Sequence, residues 1–255
     1  MITTYDALTM GQYQEIDRIT RDPAREELET QVGILSVLTG KTEPELLRLP
    51  LAEYTSLAGQ SAFLREPLAQ VPKVRREYEC GPFKLRPAKD YTRLTTGQYI
   101  DFQGFTKNEL DFCGLLSVLM VPAGKTYGEG YDPLEVREAI RDHLPMPDGM
   151  ALIAFFFEEV RRLNSGFPNL LRKRPAKGEG PQEAGGDSVP DSPGPESFAD
   201  RWGWIENLAQ VAEVQRLSWD AVLMKPALEY LNTMAFLRDR REWEKEEIDK
   251  WKKTH

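Results

Sequence analysis

The sequence predicts a mainly α-helical protein: an internally duplicated helical N-terminal domain with a small β-hairpin, a flexible linker and a small helical C-terminal segment. Three observations carry this prediction. Short motifs recur in the same order along the first part of the chain. Apolar residues fall at helical spacing through most of it. One long Gly/Pro-rich run then separates this body from a tail. The body covers residues 1–172, with copy one over about 1–70, the hairpin over about 71–90 and copy two over about 91–172. The linker takes 173–198 and the tail 199–255.

The duplication rests on three pairs of landmarks at nearly constant separation. "LTMGQY" (Leu8–Tyr13) returns as "LTTGQY" (Leu94–Tyr99), "GILSVL" (Gly33–Leu38) as "GLLSVL" (Gly114–Leu119), and "GKT" at Gly40 again at Gly124. The hexapeptide reads as a helix start. Thr9 at the N-cap and Gln12 at the third helical position form a capping box, and Leu8 and Tyr13 occupy the positions of a hydrophobic staple. Thr95, Gln98, Leu94 and Tyr99 repeat each element. Gly11 and Gly97 have no role in such a start.

After each start comes a strongly apolar segment, "LETQVGILSVL" or "LDFCGLLSVLM", read as the central helix of its copy. The glycines inside these helices predict close helix approach, since they cost about 1 kcal/mol in propensity. The GKT tripeptides are not P-loops. The glycine needed five residues earlier is Leu35 in one copy and Leu119 in the other. Gly40 instead suits a left-handed helix end, with Thr42 and Glu45 capping the next helix. In copy two, Asp132, Pro133 and Glu135 are expected to do the same. "VRREYECGPFKLRPA" reads as a hairpin about a Gly-Pro turn, and "MALIAFFFEEVRRL" as a last buried helix.

The linker, "KRPAKGEGPQEAGGDSVPDSPGPES", is too poor in apolar residues to offset its ordering entropy. In the tail, "RWGWIENLAQVAEVQRL" and the segment after Ser218 carry helical periodicity. Ser218 is expected as an N-cap and Pro226 as a helix start or kink. From Arg238 to Lys253, thirteen of sixteen residues are charged, which leaves almost no core-facing stripe. Ion pairs such as Arg238–Glu242 and Glu246–Lys250 are expected to support this helix. Phe236, Trp243 and Trp251 project to similar sides of it, either folded onto the tail's own helices or offered to a partner groove.

Composition narrows function. The net charge of −8 argues against nucleic acid or anionic membrane as partner. The two cysteines, Cys80 and Cys113, have no metal-ligand or disulfide-framework spacing and read as reduced thiols. The first residues lack a signal-peptide pattern, and "MALIAFFF" is too short to span a bilayer, so a cytoplasmic location is expected. The histidines are His143 and His255, and no metalloprotease, nucleophile-elbow or clustered-ligand pattern occurs. Neither catalytic residue, metal nor cofactor is implied, and a non-enzymatic protein is expected.

The run "RWGWIENLAQVAEVQRLSWDAVLMKPALEYLNTMAFLRDRRE" resembles the C-terminal helical segment of tail assembly chaperone-like proteins of tailed bacteriophages and prophages. The resemblance lies in a Trp-bearing helix (Trp202, Trp204), a W-D-x-V turn (Trp219–Val222) and a P-x-x-E-Y-L-N helix start (Pro226–Asn232). Where that family carries Gly-Asp after the first helix, this chain has Val211–Glu213. The resemblance implies an accessory protein that binds and solubilises a tape-measure-like tail protein, and possible contact with the tail tube, in the host cytoplasm. The partner-binding residues it singles out with the aromatic stripe are Phe236, Trp243, Trp251, Trp202 and Trp204. The alternatives are a structural virion component, such as a tail-completion or connector protein, and an enzyme centred on His143.

Overall fold

The computed structural model of the chain describes residues 1–68, 70–88, 90–107, 111–167 and 198–254. It is mainly helical with a small antiparallel sheet. The predicted linker lies outside the described residues except for its last position. Two compact units form, and they do not follow the linear order of the chain. One joins Met1–Tyr91 to Asp101–Val160, and the other joins Thr92–Ile100 to Arg161–His255.

The first unit starts with α1 (Met10–Arg21), and its N-cap is Thr9 in the expected capping box. The Gln12 N–H donates to the Thr9 hydroxyl at 3.3 Å, and the Thr9 N–H donates to the Gln12 side chain at 3.0 Å. Ile16 and Ile19 are buried, and the Tyr13 ring lies 5.6 Å from that of Phe112. α2 (Glu27–Thr39) ends at Gly40 with φ 70°, the left-handed end that glycine permits without a Cβ clash. Thr42 and Glu45 form the second capping box, at α3 (Glu43–Leu47), and α4 (Leu51–Gln60) follows from Pro50.

The hairpin pairs β1 (Tyr78–Cys80) with β2 (Phe83–Pro87) in the register Tyr78↔Leu85 and Cys80↔Phe83. Gly81 turns it at φ 55°, as a two-residue turn requires when the next residue is a proline locked at negative φ. Sequence periodicity missed a third strand. β3 (Met120–Pro122) pairs with β2, so the central helix of copy two, α6 (Phe112–Leu119), stops one residue short of its predicted Met120 end. Pro122 drives the residue before it to an extended conformation, and the free edge of β2 supplies partners for it.

Copy two otherwise repeats copy one. α5 (Thr96–Lys107) starts from the Thr95–Gln98 box, with hydrogen bonds of 3.0 and 3.2 Å. At Gly33 an added Cβ would fall 3.2 Å from Ile19 of α1, and at Gly114 it would fall 2.5 Å from Phe105 of α5. The two central helices thus use equivalent glycines to approach equivalent partners. α7 (Pro133–His143) is capped by Asp132, which accepts from Leu134 at 2.9 Å. This bond is one residue short of a capping box, so the expected closure through Glu135 is not made. α8 (Met146–Ser165) buries Leu152, Phe156 and Leu163.

The start of α1 is joined to the start of α8. The Met10 N–H donates to Leu144 O at 2.9 Å, and the Met146 N–H donates to Leu8 O at 2.8 Å, an antiparallel bridge centred on Thr9 and Pro145. This contact accounts for Gly11. A Cβ there would stand 2.2 Å from Arg141 Cγ and 2.8 Å from the Arg141 carbonyl oxygen, at the end of α7.

The second unit repeats the arrangement with α9 (Phe198–Gln215), α10 (Trp219–Leu223) and α11 (Ala227–Thr254). Ser218 caps α10 as predicted, accepting from Ala221 at 3.2 Å, and Pro226 starts α11. The Thr96 N–H donates to Lys225 O at 2.7 Å and the Ala227 N–H donates to Leu94 O at 2.8 Å, a bridge centred on Thr95 and Pro226. Leu94, Val211, Val222 and Leu231 fill this unit's core.

Two substitutions separate the roles of the hexapeptide. Thr9→Ala removes the cap and is expected to lower stability by about 1 kcal/mol. Gly11→Ala overpacks the joint with Arg141 and is expected to cost about 1–3 kcal/mol. Urea midpoints at unchanged slope measure both, and a neutral Gly11→Ala would show that the close approach is not required.

Candidate functional site

Among the described residues, the tail carries more than half of the exposed large apolar side chains, and local charge chemistry explains how they persist there. Along α11, Leu231 and Leu237 are buried, and Gln215 of α9 donates to Thr233 at 2.8 Å. Arg241 donates to Gln210 of α9. Beyond Arg241 the helix is exposed at every position to Lys253 except Glu244. Its support there is ionic. Arg238–Glu242 forms as predicted at 3.2 Å, joined by Arg240–Glu244 at 2.8 Å. Lys250 pairs with Glu247 at 2.8 Å, one residue nearer than the Glu246 predicted from i,i+4 spacing. Such pairs contribute about 0.2–0.5 kcal/mol each, enough to help hold a helix without supplying a core.

Three predicted residues share this exposed helix: Phe236 is 57 % accessible, Trp243 61 % and Trp251 62 %. Helical geometry places them within about a quarter turn of one another, along about 22 Å of axis. Trp204 on α9 is 47 % accessible, whereas the Trp202 side chain lies outside the described residues. Ile248 on α11 and Trp219 on α10, which sequence reasoning did not count among the binding residues, are both exposed. Sequence reasoning also overlooked Leu47 and Leu51, exposed beside Pro50. Their signal was the shared "PLAEY" and "PALEY" at Pro50 and Pro226.

The catalytic candidates are placed otherwise. His143, the last residue of α7, is exposed and lies over the hairpin turn, where a Cβ on Gly81 would meet its ring at 2.8 Å. The neighbouring Asp142 is engaged by Arg141 at 2.9 Å, which lowers its carboxyl pKa. Inside the first unit, the buried Asp148 is paired with Arg75, and that guanidinium sits 4.7 Å over the Tyr78 ring. The pair links the segment before β1 to α8. Among the described residues, no group of histidine, cysteine and acidic side chains could hold a metal ion.

Both thiols are buried. Burial pushes Cys80 up to about 11 and Cys113 up to about 12, so both stay protonated and weakly nucleophilic. No helix among the described residues is long and apolar enough to cross a membrane. Compared with family models, curated proteins and solved structures, the chain matches none.

The thiols provide a quantitative test. A thiol reagent at pH 8 is expected to leave Cys80 and Cys113 unlabelled in the native protein and to label both in urea. The raised folded-state values mean that the unfolded chain releases these protons first. Stability is therefore expected to be full below the ordinary thiol range and to fall as pH rises through it towards about 11. Rapid native labelling at pH 8 would contradict the burial.

Proposed function

We propose that this protein is a non-enzymatic assembly chaperone or adaptor that binds and solubilises a tape-measure-like phage tail protein during tail assembly in the host cytoplasm. The observation that carries the proposal is the aromatic stripe of Phe236, Trp243 and Trp251, held exposed on a helix supported by ion pairs. An exposed Trp-rich helix face is suited to inserting into a groove or against an amphipathic client helix, where aromatic residues carry most of the binding energy. The charged flanks keep the unbound helix soluble and select against unspecific association. The resemblance of residues 201–242 to tail assembly chaperone-like proteins supplies the client class.

Mechanistically, the client's apolar helical surface is covered transiently and released as tube subunits pack on it. A structural virion component would use the same stripe permanently, so purified particles distinguish the two: the chaperone is absent from them.

Co-expression with candidate tail proteins tests the proposal, comparing the full chain with a chain ending at Ser197. The full chain is expected to retain its client in solution and the shortened chain to lose it. Trp243→Ala with Trp251→Ala is expected to weaken binding at least about 30-fold, or about 2 kcal/mol, with the helical signal unchanged. Unchanged client binding by the double variant would remove the stripe from the mechanism.

A further inference from the structure

Among the described residues there are three corners in which a capped helix ends and a proline starts the next: α3–Pro50–α4, α7–Pro145–α8 and α10–Pro226–α11. The first and third correspond residue by residue. Thr42 and Ser218 are the caps, and Leu46 and Val222 are buried and donate to the cap carbonyls at 3.1 Å. Leu49 donates to Leu46 O at 3.2 Å, and Lys225 donates to Val222 O at 3.1 Å. The proline carbonyl then accepts from Glu53 or Glu229, each at 2.9 Å.

Two of the three corners are occupied, and both by the same kind of segment. Leu8–Met10 pairs across Pro145, and Leu94–Thr96 pairs across Pro226. In each case the residue after the proline donates to the segment's Leu carbonyl, and the residue before it accepts from the first helical N–H. At Pro50 the backbone is already extended, with φ −55° and ψ 143°. There the Leu51 N–H and the Leu49 carbonyl have no partner among the described residues. Leu51 is 80 % accessible where its counterpart Ala227 is 0 %, and Leu47 beside it is exposed as well.

We propose that Leu49, Pro50 and Leu51 form a docking edge for a Leu-Thr-x-Gly-Gln-Tyr helix start carried by a partner protein. The sequence has two such hexapeptides, the described residues have three corners, and both hexapeptides are engaged within their own units. A second copy of this chain would have to break one of those bridges to supply the segment, so the occupant is a different polypeptide. Its Leu carbonyl accepts from Leu51, and its first helical N–H donates to Leu49. Its glycine lets the helix approach the end of α3, as Gly11 does at Arg141. This inference stands on the repeated corners and is independent of the client proposed for α11.

The test uses the full chain, isotope-labelled for NMR, and a synthetic peptide of sequence ALTMGQYQEIDRITR. Saturable shifts of the Leu49 and Leu51 amides are expected below about 1 mM peptide, from two backbone hydrogen bonds and the Leu contact. Leu51→Pro removes the donating N–H at the first helical position, where proline is tolerated, and Pro50 already has the conformation that precedes a proline. That variant is expected to keep its fold, shown by unchanged shifts elsewhere, and to bind at least 10-fold more weakly. A peptide with leucine in place of its glycine is expected not to bind. Three results would each overturn the proposal: no shift at Leu51 at about 1 mM peptide, equal binding to Leu51→Pro, or shifts confined to Leu144–Met146.

Discussion

The structure depends on helix starts that hydrogen-bond to one another. The first turn of a helix leaves N–H groups without partners, and burying them unpaired costs about 1–3 kcal/mol each. Here the first N–H of α1 donates to the chain entering α8, and the first N–H of α8 donates to the chain entering α1. Proline is well suited to the centre of this bridge, because it has no N–H to leave unpaired and its fixed φ prepares the next helix. Threonine completes the opposite side by closing its own capping box. The glycine after it is the clearance the joint needs.

Reuse of this bridge organises the chain. Thr95 pairs with Pro226, so the second hexapeptide belongs to the unit that holds the tail, although in sequence it lies within the body. Duplication therefore did not produce two self-contained halves. Each hexapeptide is fastened to a proline corner later in the chain, and long-range pairing of this kind decides which segments pack together. The hexapeptide that precedes the corner at Pro50 in sequence, Leu8–Tyr13, is fastened at Pro145 instead.

A different constraint shapes α11. Its first half is held by buried Leu231 and Leu237 against the second unit's own core, whereas its second half has no apolar face wide enough to pack. Ion pairs at i,i+3 and i,i+4 hold that half as helix, so Trp243 and Trp251 remain at the surface. Free energy that a core helix gains on folding is left here for association.

Much of this was legible in the sequence because it depends on neighbours a few residues apart. The capping boxes at Thr9, Thr42 and Thr95, the left-handed Gly40, the Ser218 cap and the Gly81 turn all involve contacts within one turn of chain, and spacing alone specified them. Spacing also aligned Phe236, Trp243 and Trp251 along similar sides of one helix, but it left open whether they pack on the tail's own helices, and their exposure is a finding of the structure. Tertiary structure decided the rest. Met120 became strand because β2 offered a free edge, Asp132 took the Leu134 N–H in place of a box, and Gly11 acquired its purpose from Arg141, far away in sequence. Which proline each hexapeptide would meet was likewise invisible, since backbone hydrogen bonds between distant segments carry no residue-type signature and follow only from how the helices pack.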